Sequence, residues 1–195
     1  FTGQNVYNAI KQFKEDRNPK ETLFGFNQRV LVYFAVDTDE VYMTTELKGN
    51  KTFFLPFNKG NNRGKGNPVV EGKQKTSYLW EEILTKDSLL DIVKRFYFIE
   101  EDEKGNKRPI FPRFHQLDAV RKIVEDLKVN KAGQNYLIQH SAGSGKTNTI
   151  AWTAHRLCNL HDEDNNAIFD SVIVVTDRKV LDKQLQKAIY QLDHK

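Results

Sequence analysis

The sequence predicts an α/β protein built in two parts, and three observations carry that expectation. β-Branched and aromatic runs flank a polar turn near residue 37, and a charged, turn-rich stretch falls at residues 101–108. Beyond that stretch, short apolar runs alternate with helical stripes. The first part should fold as a mixed sheet with helices. The second should form a parallel sheet, because strand, helix, strand, helix in that order joins strands by right-handed crossovers.

Each element follows from its local pattern. Residues 2–17, TGQNVYNAIKQFKEDR, space Val6, Ala9, Ile10 and Phe13 along one helical face and leave Lys11, Lys14 and Glu15 to water. Asn18-Pro19 then stops the helix. RVLVYFAVDTDEVYMTTEL holds two strand-like runs around Asp37-Thr38-Asp39 and predicts antiparallel pairing. NKGNNRGKGNP, residues 58–68, is too rich in glycine and asparagine to bury a core. It reads as a solvated, mobile loop, or as one whose Lys59, Arg63 and Lys65 meet the phosphates of DNA or a nucleotide. Helical spacing returns from Tyr78 to Leu84 and from Leu89 to Phe96, before EEDEKGNKRP, the expected linker. The predicted organisation is residues 1–100, a linker at 101–108, and residues 109–195. In the last part Leu117, Val120, Ile123, Val124 and Leu127 form a helical stripe, and NYLIQH is a short buried strand. Residues 146–159 are helical, SVIVVTD is a second strand, and Val180, Leu181, Leu185, Ala188, Ile189 and Leu192 mark a further helix.

Composition narrows the class without choosing a function. The chain is 38% hydrophobic and 29% charged, as soluble globular proteins are, and it carries 30 basic against 26 acidic residues. A net charge of +4 tolerates nucleic acid without requiring it. One cysteine permits neither an internal disulfide nor a cysteine-rich metal site, and Cys158, among helix-like residues, is expected to pack. No apolar run reaches membrane-span length and the N-terminus lacks the order of a secretory signal, so the expected location is cytoplasmic with no membrane partner. A start at Phe1 and a stop just after a helical pattern suggest a slice of a larger protein.

The chemistry concentrates in HSAGSGKTN. Gly143, Ser144, Gly145, Lys146 and Thr147 lie between a predicted strand and a predicted helix, the setting in which such a turn holds polyphosphate. Glycines let backbone N–H groups turn inward, and the helix start adds its positive dipole end. Lys146 supplies a point charge for the β- and γ-phosphates, and the Thr147 hydroxyl a ligand for the Mg²⁺ that bridges them. The first position of the general pattern is here His140 rather than glycine. Upstream, Arg113 and Gln116 precede a helix, as in the adenine-reading element of helicase-type motors, where a glutamine amide can satisfy both a donor and an acceptor of adenine. This pairing favours ATP over GTP. Thr176, Asp177, Arg178 and Gln184 follow a predicted strand, where such motors touch the nucleic-acid backbone; an N-cap and a polar helix face explain each of them alone nearly as well. HDEDN, residues 161–165, imitates an acidic Mg²⁺ motif but sits in a polar loop, so nucleotide is expected to bind without being hydrolysed efficiently.

Taken together, TGQNV-x-NAIKQ, EVYMTTEL, FLPFN-x-G, GNP, YLWEEIL-x-KDSLLDI-x-x-RF, FPR-x-HQLDAV, HSAGSGKT and VIVVTDRKVLD-x-QL make the chain resemble the restriction (R, or HsdR) subunit of type I restriction–modification enzymes over nearly its whole length. Within that family the first loop position is commonly this histidine. The resemblance implies that residues 1 to about 100 are the rear of a PD-(D/E)xK-type nuclease domain. Residues 109–195 would be the front of the first RecA-like P-loop lobe. It further implies ATP and Mg²⁺ as cofactors, duplex DNA as substrate, methyltransferase and specificity subunits as partners, and translocation coupled to endonucleolytic cleavage of unmodified DNA. The family's nuclease ligands, an Asp and a Glu-x-Lys, would precede Phe1. Gln12 falls where related nucleases carry a supporting glutamine, although Asp16 stands where they have a tyrosine. Arg113, Gln116, Gly143, Gly145, Lys146 and Thr147 fall on the family's nucleotide positions. Two other readings fit the residues: a superfamily 2 helicase or translocase without nuclease activity, and a nucleotide-sensing binding module.

Overall fold

Asn5 starts the first helix by supplying what a helix start lacks. Its Oδ1 accepts the N–H groups of Tyr7 (3.0 Å) and Asn8 (3.3 Å), and Asn8 Oδ1 accepts the Asn5 N–H in return (2.9 Å). Helix α1 (Val6–Glu15) follows. Asp37 Oδ2 accepts the Val6 N–H at 2.7 Å, which sets a carboxylate at the positive end of the helix dipole. Val6 packs with Ala35 and Phe54, and Ala9, Ile10 and Phe13 surround them, so the predicted stripe is the buried one. The computed structural model describes residues 3–26, 28–62, 64–102, 104–177 and 179–193. It divides into two compact units, Phe1–His115 and Gln116–Lys195.

Strands β1 (Tyr33–Val36) and β2 (Val41–Thr44) pair antiparallel, with Tyr33 opposite Thr44 and Val36 opposite Val41. Asp37 makes the turn by accepting the N–H groups of Asp39 (2.8 Å) and Glu40 (2.7 Å) on Oδ1. Tyr33, Ala35, Val41 and Met43 are buried, as alternation predicts. A two-residue edge strand, β3 (Leu55–Pro56), adds to β2; Pro56 is tolerated there because an edge does not need every donor. The next loop is less free than its composition predicts. Buried Asn67 accepts the Lys59 N–H (2.8 Å) and donates to Asp39 O and Asn58 Oδ1 (both 2.9 Å), closing the loop's base while Asn61, Asn62 and Lys65 stay exposed.

Phe57 is the hub of the first unit. Its ring centroid lies 5.2 Å from that of Phe34, 6.3 Å from Phe111 and 5.9 Å from Phe114, in tilted or edge-on geometry. Tyr78 packs on Phe114 at 5.3 Å and donates its hydroxyl to the Phe57 carbonyl at 2.7 Å. Burial pushes the Tyr78 pKa well above its ordinary value. Removing this hydroxyl in Tyr78→Phe should cost about 1–2 kcal/mol at neutral pH, because the Phe57 carbonyl loses its donor. The sign with pH is fixed. A tyrosine whose pKa is raised on folding contributes its full stabilisation below the unfolded value of about 10 and loses it as pH climbs from there through the folded value. Urea midpoints across this range should therefore fall less steeply in Tyr78→Phe than in the wild-type chain.

A π-helical turn (Leu79–Ile83) and helix α2 (Lys86–Arg95) occupy the predicted helical stretch, with Ile92 and Phe96 fully buried. The stretch expected to be a linker, residues 101–108, carries the turn of a hairpin and the strand residues that flank it. Strand β4 (Phe98–Glu101) pairs antiparallel with β5 (Lys107–Ile110), placing Glu100 opposite Arg108 and Glu101 opposite Lys107, both as ion pairs. Asp102 closes the turn by accepting the N–H groups of Lys104 (2.8 Å) and Asn106 (2.9 Å). Its charges are cross-strand partners rather than a solvated tether, and the units divide later, between His115 and Gln116.

The second unit is carried by helices. In α3 (Phe114–Asn130) the predicted stripe of Leu117, Val120, Ile123, Val124 and Leu127 is buried throughout. Helix α4 (Lys146–Cys158) packs on α5 (Lys179–Asp193), with Ala151, Trp152, Ala154, Leu185, Ala188 and Leu192 buried. Cys158 is exposed, contrary to the packing expected of it, because it is the last residue of α4. The two predicted strands differ from expectation. Residues 135–140 and 171–176 join no ladder among the described residues, and Leu137, Ile173 and Val175 are 94%, 84% and 87% exposed. A parallel strand is held by neighbours on both edges and covered on both faces, and these segments have neither in the described residues. Among the described residues no helix is long and apolar enough to cross a membrane.

Candidate nucleotide-binding site

The glycine turn opens α4 as its sequence requires. Gly143 (φ +72°) and Gly145 (φ +82°) both adopt the left-handed conformation that favours glycine, and Gly145 is the residue that starts the helix. Its carbonyl accepts the N–H groups of Asn148 (3.1 Å) and Thr149 (3.3 Å). The Ser144 N–H closes the turn on Ser141 O at 3.3 Å, and the Ser144 side chain is buried under it.

Lys146 bends back over the loop. Its Nζ donates to the carbonyl oxygens of His140 (3.1 Å) and Ser141 (2.8 Å), while the side chain remains exposed. Backbone carbonyls hold an ammonium by dipole attraction, and a polyphosphate with full negative charges would compete for it strongly. The donor set suits a magnesium nucleotide. The dipole of α4 favours an anion, Lys146 adds a cation, and Thr147, partly buried in the first turn of α4, offers a hydroxyl.

Gln116 reaches the same loop from α3. Its side chain is 4% exposed, and its Nε2 donates to the Gly145 carbonyl at 2.8 Å. Arg113 is half-buried ahead of α3, and burial lowers its pKa from the usual guanidinium value. A cavity of about 340 Å³ lies beside Lys146, walled by Thr149, Ile150 and Thr153 of α4 and by Val172, Ile173 and Val175. Its lining is mostly aliphatic but includes His140 and Lys146 of the loop.

The remaining sequence candidates scatter. Thr176 is partly buried and Asp177 exposed, and Arg178 lies outside the described residues. Gln12 is exposed on α1. Asp162 and Glu163 lie in a turn, where Asp162 accepts the N–H groups of Asp164 (3.1 Å) and Asn166 (2.8 Å) and pairs with Lys131 (3.2 Å). Those bonds, the Asn166 amide first, hold the Asp162 carboxyl below its ordinary pKa and give it a structural role. Sequence reasoning missed the carbonyls of His140 and Ser141 as partners of Lys146. It also missed the bond from Gln116 to Gly145, because no spacing rule brings together residues 29 apart.

The loop and the helices around it lie within residues 115–195, which match the family model described as SWI2/SNF2 ATPase. Two relatives from Methanocaldococcus jannaschii extend the similarity to the first unit. The MjaVIIIP endonuclease subunit of a type I restriction enzyme is 26% identical, over 100% of this chain and 18% of its own length. The MjaVIIP endonuclease subunit is 30% identical, over 94% of this chain and 17% of its own. These similarities support an HsdR-like segment of a type I restriction enzyme endonuclease subunit, and the chain spans less than a fifth of the length of either relative. No solved structure matches it.

Proposed function

We propose that this chain is the part of a type I restriction subunit that joins the nuclease domain to the ATP-driven motor. The first unit, with its antiparallel sheet and helices, is read as the rear of a PD-(D/E)xK-type nuclease domain. The second is read as the front of the first RecA-like lobe, in which residues 135–140 and 171–176 become parallel strands once further strands flank them. The observation that carries this reading is the loop at the start of α4, with Lys146 bent over it and Gln116 against it.

In this reading Mg-ATP supplies the energy for translocation along duplex DNA, which the whole subunit couples to cleavage, with methyltransferase and specificity subunits as its partners. The loop amides and Lys146 bind the phosphates, Thr147 orients the cation, and Gln116 and Arg113 are assigned to adenine recognition. Thr176, Asp177 and Arg178 are assigned to the DNA backbone. Gln12 is a supporting residue of the nuclease domain, and the protein works in the cytoplasm.

Calorimetric titration with Mg-ATP beside Mg-GTP tests the site. ATP should bind more tightly than GTP, and Thr147→Ala should weaken the dependence of ATP binding on Mg²⁺. Equal affinity for the two nucleotides would remove the adenine role. ATP-independent DNA cleavage by the full-length protein would remove the motor coupling.

A further inference from the structure

Gln116 touches the phosphate loop at Gly145, the residue that starts α4. The Gly145 carbonyl that accepts its Nε2–H also accepts the first amides of α4, so one oxygen joins the loop, the helix start and α3. The approach is close. A Cβ on Gly145 would lie 2.5 Å from Gln116 Nε2 and would displace the glutamine amide from its bond, and the positive φ of Gly145 strains any other residue independently. Gln116 is almost fully buried and Gly145 exposed, so the bond is made from the protein side of the loop and leaves the outer face to the ligand.

We infer that Gln116 is a positioning residue for the phosphate loop, its amide clamping the Gly145 carbonyl so that the loop keeps its shape before any base is bound. The inference rests on the nucleotide-binding reading of residues 143–147 and goes beyond it. A glutamine that only reads adenine matters to ligands that carry adenine. A glutamine that also shapes the loop matters to every ligand with a polyphosphate, including one with no base.

The distinguishing probe is therefore inorganic tripolyphosphate with Mg²⁺, titrated beside Mg-ATP into the wild-type chain, Gln116→Met and Lys146→Ala. Methionine keeps the bulk of glutamine and removes the donor. Loss of one such bond should weaken tripolyphosphate by about tenfold in Gln116→Met, with ATP weakened at least as much. Tripolyphosphate affinity left unchanged while ATP affinity falls would overturn the clamp and leave Gln116 as a base reader alone. Lys146→Ala with no effect on either ligand would instead remove the phosphate loop itself, and the clamp with it. A ligand-free measurement provides a second test. Amide hydrogen exchange across residues 144–149 should speed up in Gln116→Met while the emission of buried Trp152 stays unchanged, and unaltered exchange there would also overturn the inference.

Discussion

Lys146→Ala should abolish useful Mg-ATP binding by this chain, raising the dissociation constant roughly 10- to 100-fold, the range expected for losing charge-assisted bonds to phosphate. The argument starts from the ligand-free geometry. Lys146 already holds two loop carbonyls, at 3.1 and 2.8 Å, so its ammonium sits over the loop with its orientation set before any anion arrives. A phosphate then exchanges weak dipole partners for full charges, and little side-chain entropy remains to be lost. Alanine removes the charge and also frees the His140 and Ser141 carbonyls that the lysine drew together. Isothermal titration in Mg²⁺ measures the effect, with circular dichroism to verify the fold. An unchanged affinity would take Lys146 out of the phosphate role and the loop out of the proposed site.

Phe57→Ala should unfold the first unit or bring it close to unfolding. Phe57 is fully buried, three aromatic rings meet it, and its carbonyl receives the Tyr78 hydroxyl. Truncating such a ring costs about 3–5 kcal/mol through lost transfer energy and the cavity left behind. A whole domain has only about 5–15 kcal/mol to lose. The effect should appear as faster amide exchange along β1 and β2, with a urea midpoint well below that of Tyr78→Phe. Exchange unchanged in these strands would mean that the aromatic cluster is peripheral to the core.

Much of this molecule was legible before its structure. The faces of α1 and α3 were readable because a helix fixes which residues share a side, and burial follows the apolar stripe from Val6 to Phe13 and from Leu117 to Leu127. The hairpin at Asp37 was readable from its turn residues. The glycine turn was readable because few other sequences combine two positive-φ glycines with a lysine at a helix start.

Residues far apart in sequence follow a different logic. The charged stretch at residues 101–108 carries the composition of a linker, yet pairing with β4 turns those charges into cross-strand partners, and local composition does not say what a strand will meet. Residues 135–140 and 171–176 are apolar enough for strands, but a strand exists only when its N–H and C=O groups find a ladder. Sequence alone therefore determined the helices, the turns and the chemistry of the loop, because these depend on residues within a turn or two of one another. Tertiary structure alone decided that Asn67 closes the basic loop, that Phe57 gathers the aromatic rings, and that Gln116 reaches Gly145. Each of those depends on a distance in space that folding sets and separation along the chain does not.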